Sequence, residues 1–250
     1  MDILMMKNVQ LTYQTAQNET QALENIDFSV KNGEFVSIVG PSGCGKTTIL
    51  SLISGLIKPT KGEILIQGKP VNGVSPQIGY MLQRDQLFEW RTVFENVMLG
   101  LEIRKEKTKE NVKYAHSLLE KYGLKDFSSH YPRQISGGMR QRVALIRTLV
   151  LRPNLLLLDE PFSALDFQTR LSVCDDVYSI IKNEKKTAIL VTHDISEAVS
   201  MSDKIVVLTK RPAVVNKIFN VDLNQPTPLL RRKEAEFPFW FDKIWQEIPS

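Results

Sequence analysis

The segment Gly40-Pro41-Ser42-Gly43-Cys44-Gly45-Lys46-Thr47 lies between two apolar segments of a 250-residue chain. Residues 35–39, before it, form a short run with β-branched residues and predict a buried strand. Residues 48–53, after it, have the spacing of a helix. A strand, a glycine-rich loop and a helix in this order predict a phosphate-binding loop, because backbone N–H groups can turn inward around an anion where a helix begins.

The side chains of this loop are suited to a nucleoside triphosphate. Lys46 can reach the β- and γ-phosphates, and the Thr47 hydroxyl can hold Mg²⁺. The alternative is a glycine-rich turn that precedes a helix and binds no ligand. We expect the nucleotide to be bound by Gly40, Pro41, Ser42, Gly43, Cys44, Gly45, Lys46, Thr47 and Thr48.

Composition and charge narrow the class of protein. Charged residues make up 24% of the chain and hydrophobic residues 42%, which is ordinary for a globular protein. The net charge of +4 comes without a block of like charge, so we expect no nucleic-acid partner. No apolar run approaches the ~20 residues needed to cross a bilayer, and residues 1–6 lack the features of a signal peptide. We therefore expect the chain to act inside the cell, with Cys44 and Cys174 as free thiols, and to reach a membrane only through a partner.

Predicted strands alternate with predicted helices along most of the chain. Strands that are apolar throughout and alternate with helices indicate a parallel α/β core. The core is expected to comprise about residues 1–83 and 151–225, with a helical insertion at about 84–150 and a C-terminal helical tail at 226–250. We predict strands at residues 3–12, 22–30, 35–39, 63–66, 78–82, 155–158, 187–192 and 204–209, with residues 14–20 as the turn between the first two.

Two carboxylates, Asp159 and Glu160, directly follow the apolar run at residues 155–158. The carboxyl ends of strands in α/β sheets are where ligands bind. Asp159 is suited to holding Mg²⁺ through water, and Glu160 to polarising an attacking water molecule. The alternative is a pair of exposed acidic residues at a strand end; together with the phosphate loop, the pair indicates hydrolysis of a nucleoside triphosphate.

A third motif, Ile135-Ser136-Gly137-Gly138-Met139, opens a predicted helix that runs to about residue 150. Ser136 is a favourable N-cap, so the motif is explained either as a capped helix start or as a second anion site. The motif resembles the LSGGQ signature of ATP-binding cassette (ABC) proteins. It also occupies the family's position between the phosphate loop and the acidic strand end.

The resemblance to ABC proteins extends over roughly residues 3–215 and implies the ABC ATPase fold. That fold has a P-loop NTPase parallel-sheet core, an N-terminal antiparallel β subdomain and an inserted α-helical subdomain. Residues 40–47 resemble the Walker A loop and residues 155–160 the Walker B strand. The resemblance further implies that Gln83 senses Mg²⁺ and the membrane partner, that His193 is the switch histidine, that Asp166 belongs to the D-loop of the nucleotide site, and that Tyr13 stacks on adenine.

The same resemblance implies that one copy cannot complete the catalytic site. Ser136, Gly137 and Gly138 of one subunit would cap the γ-phosphate held by the Walker A loop of the other. A head-to-tail homodimer is therefore expected to close on ATP and to reopen after hydrolysis. Met139 replaces the usual glutamine of the signature, as is common in the nitrate/sulfonate/taurine importer group, which residues 131–142 and 159–166 also resemble.

These features predict the ATPase subunit of a membrane importer, bound to the cytoplasmic face of the membrane. Its cargo is expected to be a sulfonate, taurine, nitrate or a pyrimidine precursor delivered by a separate binding protein. Alternatives are a soluble ABC-type ATPase acting on nucleic acid or ribosomes, an exporter subunit, or a small-molecule kinase. In importers the region matching Arg84 to Leu99 contacts the polytopic permease; packing of the insertion's own core explains its apolar residues equally well.

Aromatic and apolar residues at helical spacing also mark the C-terminus. They favour docking of the tail on its own domain, with membrane-surface binding as the alternative. The stripe consists of Phe237, Trp240, Phe241, Ile244, Trp245 and Ile248, and follows the basic residues 231–233.

Overall fold

A computed structural model describes residues 1–14 and 18–248. In chain order its elements are β1 (Asp2–Gln14), β2 (Glu19–Lys31), β3 (Phe35–Val39), α1 (Lys46–Ile53), β4 (Lys61–Ile66), β5 (Lys69–Pro70), β6 (Ile78–Met81), α2 (Val93–Ile103), α3 (Lys109–Lys121), α4 (Gly137–Leu149), β7 (Leu155–Asp159), α5 (Phe167–Asn183), β8 (Thr187–Val191), α6 (Ile195–Met201), β9 (Lys204–Leu208), β10 (Val215–Asn220), α7 (Pro228–Arg231) and α8 (Phe237–Trp245). Short 3₁₀ turns lie at Lys125–Phe127 and Pro132–Gln134.

Two sheets form the centre of the molecule. Strands β2, β1, β4 and β5 make an antiparallel sheet in that order. The second sheet has the order β10-β9-β3-β8-β7-β6, and its strands are parallel except for β10, which pairs antiparallel with β9. The predicted α/β class with an N-terminal antiparallel subdomain is confirmed. Residues 15–17 of the predicted turn between the first two strands lie outside the described residues.

The antiparallel edge strand β10 was not predicted by the apolar runs. Its sequence, Val215-Asn216-Lys217-Ile218-Phe219-Asn220, mixes polar and apolar residues without strict alternation, and Phe219 is the residue of the strand that is buried against the core. Residues 209–214 turn the chain back, with the Thr209 backbone N–H donating to the Val214 carbonyl. A strand at a sheet edge needs one buried face only, so its sequence lacks the continuous apolar run of the central strands.

The helical region at 84–150 shares its hydrophobic core with the parallel sheet. One cluster joins residues of α2, α3, α4 and α5 to Phe35 of β3 and Leu156 and Leu158 of β7. The contact of α4 with β6 is close: a Cβ atom on Gly79 would lie 2.4 Å from Thr148 Cγ2. The helical expectation was wrong for residues 84–92, which precede α2 as a loop.

The C-terminal helix α8 packs against α6, beside the part of the sheet formed by β9 and β10. Ile244 is fully buried in a cluster with Val39 and Phe219, and other aromatic residues of the stripe are half-buried against it. Lys217 of β10 donates to Glu247 Oε1 at 2.7 Å. The stripe is therefore an intramolecular contact, except that Trp245 keeps 65% of its surface exposed.

Within residues 1–14 and 18–248, no helix combines the length and apolar character required to span a bilayer. Cys44 and Cys174 have free thiols, and the structure buries both side chains.

Candidate nucleotide-binding site

The phosphate loop leaves the end of β3 and enters α1 at Lys46. Gly43 and Gly45 have φ values of 72° and 122°, in the region that favours glycine. Space is a second constraint at Gly45, because a Cβ atom there would lie 2.8 Å from Leu23 Cδ2. The loop is therefore fixed both by its own backbone and by its contact with β2.

The Lys46 ammonium group holds this loop from inside. The side chain is only 6% exposed, and Nζ donates to the carbonyls of Gly40 and Pro41, each at 2.9 Å. Among the described residues it makes no ion pair. An ammonium group has three N–H donors, so one remains for a ligand.

The Cys44 side chain lies beneath the loop and does not line the cavity above it. Its backbone N–H donates to the Pro41 carbonyl at 3.3 Å, and its side chain is 1% exposed. Burial raises the pKa of the thiol, which outweighs the opposing effect of the nearby Lys46 charge. Any contact of Cys44 with a nucleotide would thus come from its backbone.

Asp159 is joined to the phosphate loop by a hydrogen bond. The Thr47 hydroxyl donates to Asp159 Oδ1 at 3.1 Å, and the Tyr80 hydroxyl donates to Oδ2 at 3.3 Å. Burial raises the pKa of Asp159, and these two hydrogen bonds work against that rise. Sequence reasoning missed Tyr80, which acts from the neighbouring strand β6.

The oxygen atoms of Thr47 and Asp159 fit Mg²⁺, which prefers oxygen ligands. The described residues contain no group of three or more His, Cys, Asp and Glu side chains arranged for a metal ion. A site with one carboxylate is usual for Mg²⁺ bound together with nucleotide phosphates and water. Gln83, the third predicted metal ligand, contacts Glu160 instead of Asp159.

Three predicted catalytic side chains meet at the ends of β6, β7 and β8. Gln83 Nε2 donates to Glu160 Oε2 at 3.4 Å, and His193 Nδ1 lies 3.1 Å from the same oxygen. Glu160 has φ = 44°, and its backbone N–H donates to the Val191 carbonyl at 2.9 Å. The hydrogen bond to Val191 holds the backbone of Glu160 in this unfavourable left-handed conformation, in which the carboxylate contacts Gln83 and His193.

A cavity of about 510 Å³ opens above the phosphate loop. Tyr13 adjoins it, with its hydroxyl 3.3 Å from Thr48 Oγ1. The residues that line the cavity are Ser42, Gly43, Gly45, Lys46, Thr47, Thr48, Glu160, His193 and Arg211. Sequence reasoning missed Arg211.

The remaining predicted site residues serve local roles within this chain. Ser136 caps α4, accepting from the Met139 backbone N–H at 3.2 Å, and Asp166 caps α5 by accepting from Thr169 at 3.1 Å. A Cβ atom on Gly138 would lie 2.8 Å from Val173 Cγ2, so close packing of α4 on α5 also requires glycine there. Within the described residues, neither 136–138 nor Asp166 lines the cavity.

The loop that carries His193 is braced by a buried carboxyl group. Glu197 is 3% exposed and accepts from Thr192 Oγ1 at 2.6 Å; Asp194 caps α6. Arg170 lies 3.6 Å from Asp194 Oδ2 and also donates to the Leu165 carbonyl at 2.9 Å. Burial raises the pKa of Glu197 to about 7, more than the Thr192 hydrogen bond lowers it.

Comparison with known proteins identifies this arrangement. The family model described as "ABC transporter" matches residues 23–163. The chain belongs to the ABC transporter family. It is the ATP-binding subunit of a transporter, and the family's activity is ATP hydrolysis.

Individual ABC relatives match over most of their length. YtlC of Bacillus subtilis, described as an uncharacterized ABC transporter ATP-binding protein, is 48% identical over 100% of this chain and 97% of its own. SsuB of Bacillus cereus, described as an aliphatic sulfonates import ATP-binding protein, is 42% identical over 89% of this chain and 87% of its own. The dimeric post-hydrolysis structure of the cassette MJ0796, bound to ADP and Pi, aligns with a TM-score of 0.73 and 34% identity over 88% of this chain and 99% of its own.

We expect Glu197 to make stability depend on pH. Folded Glu197 holds its proton more tightly than the unfolded chain, where the pKa is 4.5, so the free energy of unfolding falls as pH rises from about 4.5 to about 7. Glu197→Gln removes this titration, while its amide oxygen still accepts from Thr192. Urea unfolding between pH 4.5 and 8 should show a weaker pH dependence in the variant.

The exposed Glu236 provides the control for this measurement, and Glu236→Gln should retain the wild-type pH profile. Identical profiles for Glu197→Gln and wild type would contradict the expectation.

Proposed function

We propose that this chain powers the import of a small anion, with an aliphatic sulfonate as the first candidate, from the cytoplasmic face of a membrane. The observation that carries the proposal is the 42% identity to an aliphatic sulfonates import ATP-binding protein over 89% of the chain. Taurine, nitrate and pyrimidine precursors are further candidates. A separate binding protein and the permease select the cargo, since this subunit supplies the energy.

The predicted side chains at and beside the cavity have separate chemical roles in this proposal. Lys46 neutralises charge on the β- and γ-phosphates, and Tyr13 stacks on adenine. Thr47 and Asp159 hold Mg²⁺, which would offset phosphate charge when bound. Glu160 polarises the attacking water, while Gln83 and His193 orient the carboxylate through the oxygen that both contact.

A second copy of the chain is proposed to complete the site. What supports this is that residues 136–138 do not line the cavity of their own chain within the described structure. The related cassette MJ0796 is described as dimeric. In a head-to-tail homodimer, Ser136, Gly137 and Gly138 would bring hydroxyl and backbone donors to the partner's γ-phosphate, and the D-loop with Asp166 would border the same interface.

We propose that permease subunits bind at residues 84–99. Val93 and Val97 are fully buried, so they belong to the core of the helical region. Trp90 is 72% exposed and stacks on Phe88, with ring centroids 4.7 Å apart. A large exposed aromatic pair is a suitable anchor for a protein partner.

The loop at residues 84–92, here named the docking loop, is held firmly for such a role. The buried Asn96 accepts from the Phe88 backbone N–H at 2.8 Å and donates to the carbonyl groups of Phe88, Arg91 and Thr92. From α4, Arg147 donates to the Asp85 carbonyl at 2.6 Å. A loop fixed before binding loses less conformational entropy on association.

The docking loop is also connected to the signature residues. Arg140 pairs with Asp85 Oδ2 at 3.1 Å and donates to the Ile135 carbonyl at 3.1 Å. Movement of the docking loop on a permease would therefore pull directly on the segment next to Ser136. This connection provides a physical route by which the permease could favour or oppose closure of the dimer.

Glu160→Gln should retain ATP binding, reduce turnover by about 10³-fold or more, and accumulate an ATP-bound dimer, because the base is lost while the phosphate contacts remain. Phosphate release and size-exclusion chromatography with ATP measure these effects.

Ser136→Asp in the same background is the contrast: Asp is also a good N-cap, but its charge would repel the partner's γ-phosphate. It should abolish the dimer and spare ATP binding by the monomer. Wild-type turnover in Glu160→Gln would remove that residue from the proposed role.

Trp90→Ala should weaken copurification with the permease subunits by about tenfold or more, because truncation of an aromatic anchor removes a large share of binding energy. The matched control is Trp245→Ala, since Trp245 is 65% exposed on α8. Pull-down of the coexpressed permease with each variant measures the effect. Equal recovery by both variants would place the permease contact elsewhere.

Deletion of the gene in its host should prevent growth on an aliphatic sulfonate as the only sulfur source and spare growth on sulfate. The wild-type gene should restore growth, and Glu160→Gln should not. Parallel cultures on taurine, nitrate and pyrimidine precursors test the other cargo classes. Unimpaired growth on the sulfonate would contradict the sulfonate assignment.

A further inference from the structure

Arg211 lines the same cavity as Lys46 and Glu160, although it follows β9 and lies far from them in sequence. Its Nη2 atom donates to the Gly43 carbonyl at 2.9 Å. Within the described residues, this is the only hydrogen bond of its side chain, and the guanidinium makes no ion pair. A guanidinium group has five N–H donors, so four remain for a ligand.

The backbone around Arg211 is held by β2. The Ala213 N–H donates to the Ala22 carbonyl at 3.0 Å, and the Glu24 N–H donates to the Ala213 carbonyl at 2.9 Å. Leu23, between these two partners, is the residue that packs against Gly45 of the phosphate loop. Leu23 thus limits the space at the phosphate loop, while its neighbours Ala22 and Glu24 hold the segment that carries Arg211.

The charges around the cavity favour a polyanion. Both Lys46 and Arg211 line it, neither is paired with a carboxylate of residues 1–14 or 18–248, and Glu160 is the carboxylate among the lining residues. Lys46 already gives two of its donors to loop carbonyls. Arg211 presents a planar set of donors, a geometry that matches phosphate oxygens.

We propose that Arg211 is a phosphate-binding residue of the nucleotide site, reaching the phosphate chain of ATP or ADP from the Gly43 end of the loop. Its guanidinium bridges the Gly43 carbonyl and a phosphate oxygen, so that it stabilises the loop and neutralises the ligand together. The inference depends on ATP binding and is independent of the transported cargo. Its failure would leave the permease and growth experiments unaffected.

Arg211→Ala should raise the Kd of both ATP and ADP by about tenfold, the effect expected for loss of a charged hydrogen bond. Isothermal titration calorimetry of the full chain with each nucleotide and Mg²⁺ measures the change. The salt dependence of Kd should also decrease in the variant, because one cation–phosphate contact has been removed. The neighbouring exposed Lys210 supplies the control, and Lys210→Ala should retain wild-type affinity and salt dependence.

Two further variants distinguish phosphate binding from a brace on the loop. Arg211→Gln keeps an N–H donor for the Gly43 carbonyl but carries no charge, so it should bind nucleotide as weakly as Arg211→Ala. Arg211→Lys keeps the charge and should recover part of the affinity. Thermal unfolding without nucleotide should be the same for Arg211→Gln and wild type, because Arg211 is exposed and the glutamine amide keeps a donor for the Gly43 carbonyl. Wild-type affinity in either Arg211→Ala or Arg211→Gln would overturn the proposal.

Discussion

A buried positive charge governs the architecture of this site. Lys46 is almost fully enclosed, yet its ammonium group is satisfied by backbone carbonyls and by no ion pair within the described residues. Burying a cation without an anion is costly, and the cost is offset when phosphate oxygens enter. The glycines with positive φ, the contact with β2 and the hydrogen bond from Thr47 to Asp159 all fix the loop that holds this charge at the cavity. In the proposed function, the affinity for a polyphosphate follows from how the fold encloses this one side chain.

The sequence predicts those strands that have a local apolar pattern and those site residues that directly follow a strand. Residues 35–39, 155–158 and 187–192 are apolar throughout because both faces of central strands are covered, and these strands were located within a residue. Glu160 and His193 were each singled out by their motifs, and the structure places them 3.1 Å apart because parallel strands end at one edge of a sheet. Arg211 and Tyr80 were missed, because their contacts cross 168 and 79 residues of chain and no periodicity marks them.

Residues of helix α4 serve two roles: they pack on α5, and they belong to the segment proposed to contact a partner's phosphate. Gly138 permits close packing on Val173, and the same glycine belongs to the segment proposed to meet a partner's phosphate. Farther along, Arg140 and Arg147 hold the docking loop. One rigid element thus connects the surface proposed for the permease with the surface proposed for the second ATPase subunit.

The alkylation rate of the Cys44 thiol can be used to follow opening of the phosphate loop. Its sulfur is buried beneath the loop, and burial disfavours the reactive thiolate. An alkylating reagent can reach it only when the loop leaves its resting place, so the labelling rate measures how often local opening occurs. Slower labelling in the presence of a nucleotide would accordingly signify a loop held shut, and would be no evidence that the bound molecule touches the sulfur.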